Sequence, residues 1–287
     1  MGYGACVARA VHRTWYRIAV ARANAPAIVL AAEGAHLGEA VAAAETHTKS
    51  YAIAADVATA APLGESLRKP HVVELGPDTD HTVDFRWPVG VLPQLGQPLG
   101  VARRGYVVHP DPKLLVIEAQ TEGDRLVDLF LGLLERLPSA DNLEIRLLDH
   151  YDDAGETDVW LTSRVNAKQI VSFLDDHDVD VLANGHVEVS VYVRAHKATL
   201  RLTEHKTVVW LAEDHTLAAD VKRWLAELAV PPIAELVTAN QVTHFHYRPA
   251  KSRDRKKLAY QLYRQRLRIV ASLPRDAPAA AGRDTDG

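Results

Sequence analysis

An α+β fold, with a mixed and mainly antiparallel sheet and helices packed on one face, is what this sequence predicts, and three observations predict it. Val187, Val189, Val191 and Val193 alternate strictly with Glu188, Ser190, Tyr192 and Arg194, the period of a strand with one dry face. Leu217, Val221, Trp224, Leu225 and Leu228 recur at helical spacing, and Pro231 and Pro232 stop the run. From Leu114 to Arg194 the two periods exchange in the order βαββαβ, that of a ferredoxin-like sheet.

The elements follow in chain order. Val7, Val11, Trp15 and Ile18 share one helical face and Arg9, Arg13 and Arg17 another, so the start reads as an amphipathic helix. Ala27 to Ala32 reads as a buried strand, and His36 to Thr46 as a helix of small residues. Residues 1–85 thus form an Ala-rich α/β region. Residues 86–112 carry Pro88, Pro93, Pro98, Pro110 and Pro112, so a linker without regular elements is expected there.

Residues 113–250 form the expected α+β domain. Leu114 to Ile117 is a strand, and a helix follows from a loose capping box at Thr121 to Asp124 until Pro138. Leu143 to Leu148 and Val159 to Val165 are strands, and Asn166 caps a helix with Ile170, Val171 and Leu174 inward. After Val187 to Val193, strands are expected at Thr199 to Thr203, Val208 to Leu211 and Val242 to Tyr247. Residues 251–273 read as a basic helix, with eight Lys and Arg against Asp254 alone between Lys251 and Arg268. Residues 274–287 are small, polar and prolyl, the composition of a disordered tail.

Composition narrows the classes of function. The 287 residues are 47% hydrophobic and 24% charged with a net charge of −4, which is ordinary for a soluble globular protein and excludes a wholesale nucleic-acid or membrane coat. Cys6 is alone, so no internal disulfide or cysteine-based zinc site forms, and a cytoplasmic location is expected.

Chemistry-bearing residues are few and scattered. His244 and His246, two apart on an expected strand, share a face and are candidate metal ligands if a third donor approaches. Asp175, Asp176, Asp178 and Asp180 follow a helix C-terminus, the end that repels negative charge, and so hint at a cation or a basic partner. Lys257, Arg264 and Arg268 form a basic stripe suited to partner binding. A partner protein is the expected occupant, with a nucleic-acid backbone as an alternative through residues 251–268.

Glu204-His205-Lys206, set in a helix, three-strand, helix, strand order, resembles the PD-(D/E)xK nuclease family. The resemblance covers residues 166–247. It implies a divalent metal held by Glu204 and an upstream carboxylate, with Lys206 positioning or activating water. Ser190 stands where that family has its metal-binding Asp, leaving Glu188 as the substitute. No phosphate-cradling glycine loop, nucleophile elbow or dinucleotide fingerprint occurs. The leading expectation is therefore a non-catalytic protein-binding or assembly module with no cofactor. The alternative is a metal-dependent nuclease with Glu188, Glu204 and Lys206 as its catalytic residues.

Overall fold

The structure is a computed structural model that describes residues 13–58, 71–78, 85–97, 99–163 and 165–275. The chain runs β1 (Thr14–Arg22), β2 (Ala25–Gly34), α1 (Leu37–Thr48), β3 (Ala52–Val57), β4 (Val72–Asp78), β5 (Val91–Pro93), β6 (Gly105–His109) and β7 (Leu115–Gln120). It continues through α2 (Leu126–Arg136), β8 (Asn142–Leu147), β9 (Glu156–Leu161), α3 (Ala167–Asp176), α4 (Asp178–Val181) and β10 (Val187–Val193). The last elements are β11 (Ala198–Leu202), β12 (Val208–Ala212), α5 (Ala218–Glu227), β13 (His244–His246), α6 (Arg255–Arg264) and β14 (Arg268–Pro274). This is an α+β architecture.

Three sheets result: β3-β1-β2-β4, the larger β14-β9-β8-β10-β11-β12-β7-β6, and the pair β13-β5. Every pairing in the larger sheet is antiparallel. The element order βαββαβ is present from β7 to β10, but the ferredoxin-like arrangement is not confirmed. That arrangement would seat β7 beside β9 and β10, whereas β7 pairs with β6 and β12. The hairpin β11–β12, inserted between β10 and β7, takes one of those positions, and β6 takes the other.

One face of the larger sheet carries its core. Ile117, Ile145, Val189, Val191, Leu200 and Trp210 pack in one cluster with Phe130 and Leu134 of α2, Leu174 of α3, Leu225 of α5 and Leu258 of α6. The other face is polar and cross-linked between strands: Arg201 donates to both Glu188 oxygens at 2.6 Å, and Tyr192 Oη donates to Glu144 at 2.7 Å. These bonds keep Glu188 and Ser190 buried on the face that the alternating pattern marks as polar. In the N-terminal sheet, β1 lies between β2 and β3, and α1 covers one side. Ile18, Ala19 and Val20 are all buried, because both faces of β1 are covered.

Several sequence expectations are corrected. Trp15 and Ile18 belong to a strand, not a helix, and Val7 and Val11 lie outside the described residues. Residues 86–112 contain β5 and β6, because the segment from Gly105 to His109 is free of proline and finds β7 as a partner. Asn166 caps α3 with a full capping box closed by Gln169, but Arg125 precedes α2 and makes no side-chain cap. The basic helix ends at Arg264, and the chain re-enters the larger sheet as its edge strand β14. The expected disordered tail lies outside the described residues from 276 onward. Among the described residues no helix is long and apolar enough to cross a membrane.

The ribbon β13-β5 joins the two larger sheets. A bridge between Ala55 and Gln94 ties it to the N-terminal sheet. Tyr247 N extends the ribbon by donating to Gly90 O at 2.8 Å, and on the other side Gly185 N, just before β10, donates to Tyr247 O at 3.0 Å. Gly90 and Gly185 cross so closely that a Cβ on Gly185 would lie 1.9 Å from Gly90 O. Gly90 also has φ +106, a region that L side chains rarely adopt. Gly185→Ala is expected to cost about 1–3 kcal/mol by forcing the crossing apart. Chemical denaturation measures it, and an unchanged midpoint would contradict the close crossing.

Candidate metal centre

One end of the larger sheet meets the ribbon, and histidines from four separate segments converge there. His150 follows β8, His186 precedes β10, His205 sits in the β11–β12 turn, and His244 and His246 lie on β13. Ring centroids are 4.8 Å apart for His150 and His246, 4.8 Å for His205 and His244, 5.2 Å for His205 and His246, and 4.9 Å for His244 and His246. All five rings are half-buried.

Hydrogen bonds to the backbone determine which nitrogens are free. His244 Nδ1 lies 2.8 Å from Val242 O, and His246 Nδ1 lies 2.7 Å from Gly185 O. A carbonyl only accepts, so both Nδ1 atoms carry the proton and both Nε2 atoms keep a lone pair. Those two Nε2 atoms face each other at 2.9 Å. One ring would have to be cationic to donate across that gap. Burial opposes this and pushes His246 down to about 2, with His150, His244 and His205 adding to the depression against the Gly185 bond. Two lone pairs held nose to nose repel unless a cation lies between them.

A first-row divalent ion fits the donors present. At metal–nitrogen distances of about 2.0–2.1 Å, a 2.9 Å separation corresponds to two ligands about 90° apart on one ion. The free donor atoms of His205, His244 and His246 lie within 4.8 Å of one another, as do those of His150, Glu204 and His246. Imidazoles with one carboxylate suit zinc, iron, cobalt, nickel or copper, and not calcium or magnesium.

The turn that carries Glu204 and His205 is pinned from within. Lys206 has φ 62, and Lys206 N donates to Thr203 O at 3.0 Å. Its side chain is fully buried, and Nζ donates to Asn184 O at 2.6 Å and Val187 O at 3.1 Å. Burial lowers its ammonium to about 7, against Glu188 and Glu204, which raise it. Burial also raises the Glu204 carboxyl, and the nearby Glu188 adds to this. The segment from Asn184 to Val187, which this lysine grips, supplies the Gly185 carbonyl that orients His246. Tyr151 stacks on His186 with centroids 5.1 Å apart and is held by a bond from Asn184 Nδ2 at 3.1 Å.

The other sequence candidates are placed as follows. Glu188 is engaged by Arg201, and Glu204 N approaches Glu188 Oε1 at 3.4 Å, so Glu188, Glu204 and Lys206 are neighbours. The Lys206 ammonium, however, points into the protein. Asp180 accepts from Arg253 N at 2.6 Å and pairs with the Arg253 guanidinium, so the basic group that answers the acidic cluster comes from the same chain. Lys257 and Arg264 are exposed on α6, while Arg268 lies on β14 with its guanidinium 5.1 Å from the Tyr263 ring centre. The three therefore do not share one helical stripe. His186 and His205 were not expected as ligands. Each lies in a separate loop with no local spacing rule, and the one available signal was the histidine content, 14 in 287 residues.

No protein-family model, curated protein or solved structure matches this chain.

The buried imidazoles make stability depend on pH. Burial lowers His186 to about 3 and His205 to about 4, both below the ordinary value of 6.5. The unfolded chain therefore binds more protons in this range, and stability present above about pH 6.5 is lost as pH falls toward those values. Metal-free protein is expected to show a falling Tm between pH 6.5 and 5, and a shallower fall in His186→Phe, which keeps the stack on Tyr151. Equal slopes in the two proteins would contradict the buried neutral state of His186.

Proposed function

We propose that this protein binds a divalent first-row transition ion through His205, His244 and His246 and acts through it as a hydrolase. The observation that carries the reading is the pair of Nε2 lone pairs 2.9 Å apart, each fixed by an Nδ1 bond to the backbone. Three neutral imidazoles leave the full double charge on the ion, which supplies a Lewis acid that polarises a carbonyl or phosphoryl oxygen and activates water. Glu204, with Oε1 3.9 Å from His205 Nε2, is placed to hold or move a proton beside it. The position between the ribbon and the larger sheet is a common setting for such sites.

The nuclease form of the proposal fares less well. It asks Lys206 to meet water, and this ammonium is spent on two buried carbonyls. Calorimetric titration of metal-free protein with zinc or cobalt is expected to give tight binding that weakens at least about 100-fold in His246→Ala. Chelator-sensitive hydrolysis of chromogenic esters or phosphodiesters should follow the same loss. Wild-type protein that binds neither ion would overturn the reading.

A second reading, an assembly surface, is favoured by exposed Tyr260, Tyr263, Ile269, Val270 and Leu273 beside Lys257, Arg264 and Arg268. An acidic protein partner is proposed there. Its affinity is expected to fall steeply with salt and in a Lys257→Glu, Arg264→Glu double variant. Binding indifferent to both, or transferred wholly to DNA or RNA in a competition assay, would remove it.

A further inference from the structure

An ion held by His205, His244 and His246 leaves donors over. The His246 imidazole has one free nitrogen, yet that atom belongs to two donor groups, one with His205 and His244 and the other with His150 and Glu204. Ligands of a single ion at about 2.0–2.2 Å lie within about 4.4 Å of one another. The five donors do not form one group even at 4.8 Å, so one ion cannot take them all, and with the His246 nitrogen committed beside His205 and His244 the donors left over are His150 and Glu204.

Glu204 stands between them. Its Oε1 lies 3.9 Å from His205 Nε2, and its Oε2 lies 4.0 Å from His150 Nε2, so each oxygen faces a different imidazole. The His150 tautomer is set like the others. Its Nδ1 sits 3.2 Å from Asp149 Oδ1, which only accepts, so Nε2 carries the lone pair. That Nε2 is buried and has no hydrogen-bond partner among the described residues. A buried nitrogen left open in this way is destabilising unless a ligand satisfies it.

We propose that the site takes two divalent ions, the second held by His150 and Glu204, with the Glu204 carboxylate bridging the pair. This rests on the three-histidine site of the proposed function and extends it. A carboxylate with one oxygen on each ion sets a spacing of about 3.5–4 Å, the arrangement that clamps both the attacking and the leaving oxygen of a hydrolysed phosphate or carboxylic ester. The substrate class is accordingly an ester with an anionic or strongly polarised oxygen. The Asp149–His150 bond orients the second group as the Gly185 carbonyl orients the first.

Equilibrium dialysis of the full chain against zinc, with metal counted by mass spectrometry, tests the proposal. Wild type is expected to hold two ions per chain, and His150→Ala and Glu204→Gln one each, with a thermal melt confirming that both variants fold. Cobalt-loaded wild type should show spin coupling that Glu204→Gln abolishes. One ion in wild type, whether or not His150→Ala loses it, overturns the second position and leaves the first standing. Two ions in Glu204→Gln overturn the bridge. No ion at all removes the proposed function with it.

Discussion

Two hydrogen bonds from imidazole to backbone govern the rest of this molecule's chemistry. Val242 O and Gly185 O each take the Nδ1 proton of a neighbouring histidine, and two Nε2 lone pairs are left facing each other. Had either ring turned its Nε2 to the carbonyl, the pair would be an ordinary buried contact. Because both turn the same way, two lone pairs meet in a half-buried place, a repulsion that a cation between them would relieve.

The scaffold holds this geometry through contacts remote from the metal position. The crossing of Gly90 and Gly185 seats β13 against the end of the larger sheet, and the backbone bonds of Tyr247 lock it there. Lys206 reaches back beneath the turn bearing Glu204 and His205 and holds the carbonyls on both sides of His186. One buried side chain thus couples the turn that supplies two donors to the segment that orients a third. Tyr151 completes the shell by stacking on His186; its hydroxyl donates to Arg253 O and accepts from Asn184 Nδ2.

Much of the architecture was legible in the sequence, and its failures have physical causes. The valine alternation of β10 and the leucine stripe of α2 persist because each element has one covered face, which local spacing records. Trp15 and Ile18 mislead because β1 is covered on both sides, so the run from Ile18 to Ala21 loses its alternation and mimics a helix face. β14 was hidden because an exposed edge strand needs no apolar pattern; its partner β9 supplies the pairing. The polar face of β10 was read correctly as polar, but its burial depends on Arg201 from a neighbouring strand. As for the site, the spacing of His244 and His246 and the triplet carrying Glu204 were local enough to read. His150, His186 and His205 join them through tertiary contacts between segments that share no motif, and Lys206 was singled out for a role at water that its buried ammonium does not fill.

The central claim is that His244 and His246 present their Nε2 atoms to one cation. Anomalous diffraction from crystals soaked in zinc and recorded at the metal edge tests it most directly. The account predicts a peak about 2.0–2.2 Å from both Nε2 atoms, with both Nδ1 atoms still on their carbonyls. A map without density there, with the two rings rotated so that one donates to the other, would contradict it.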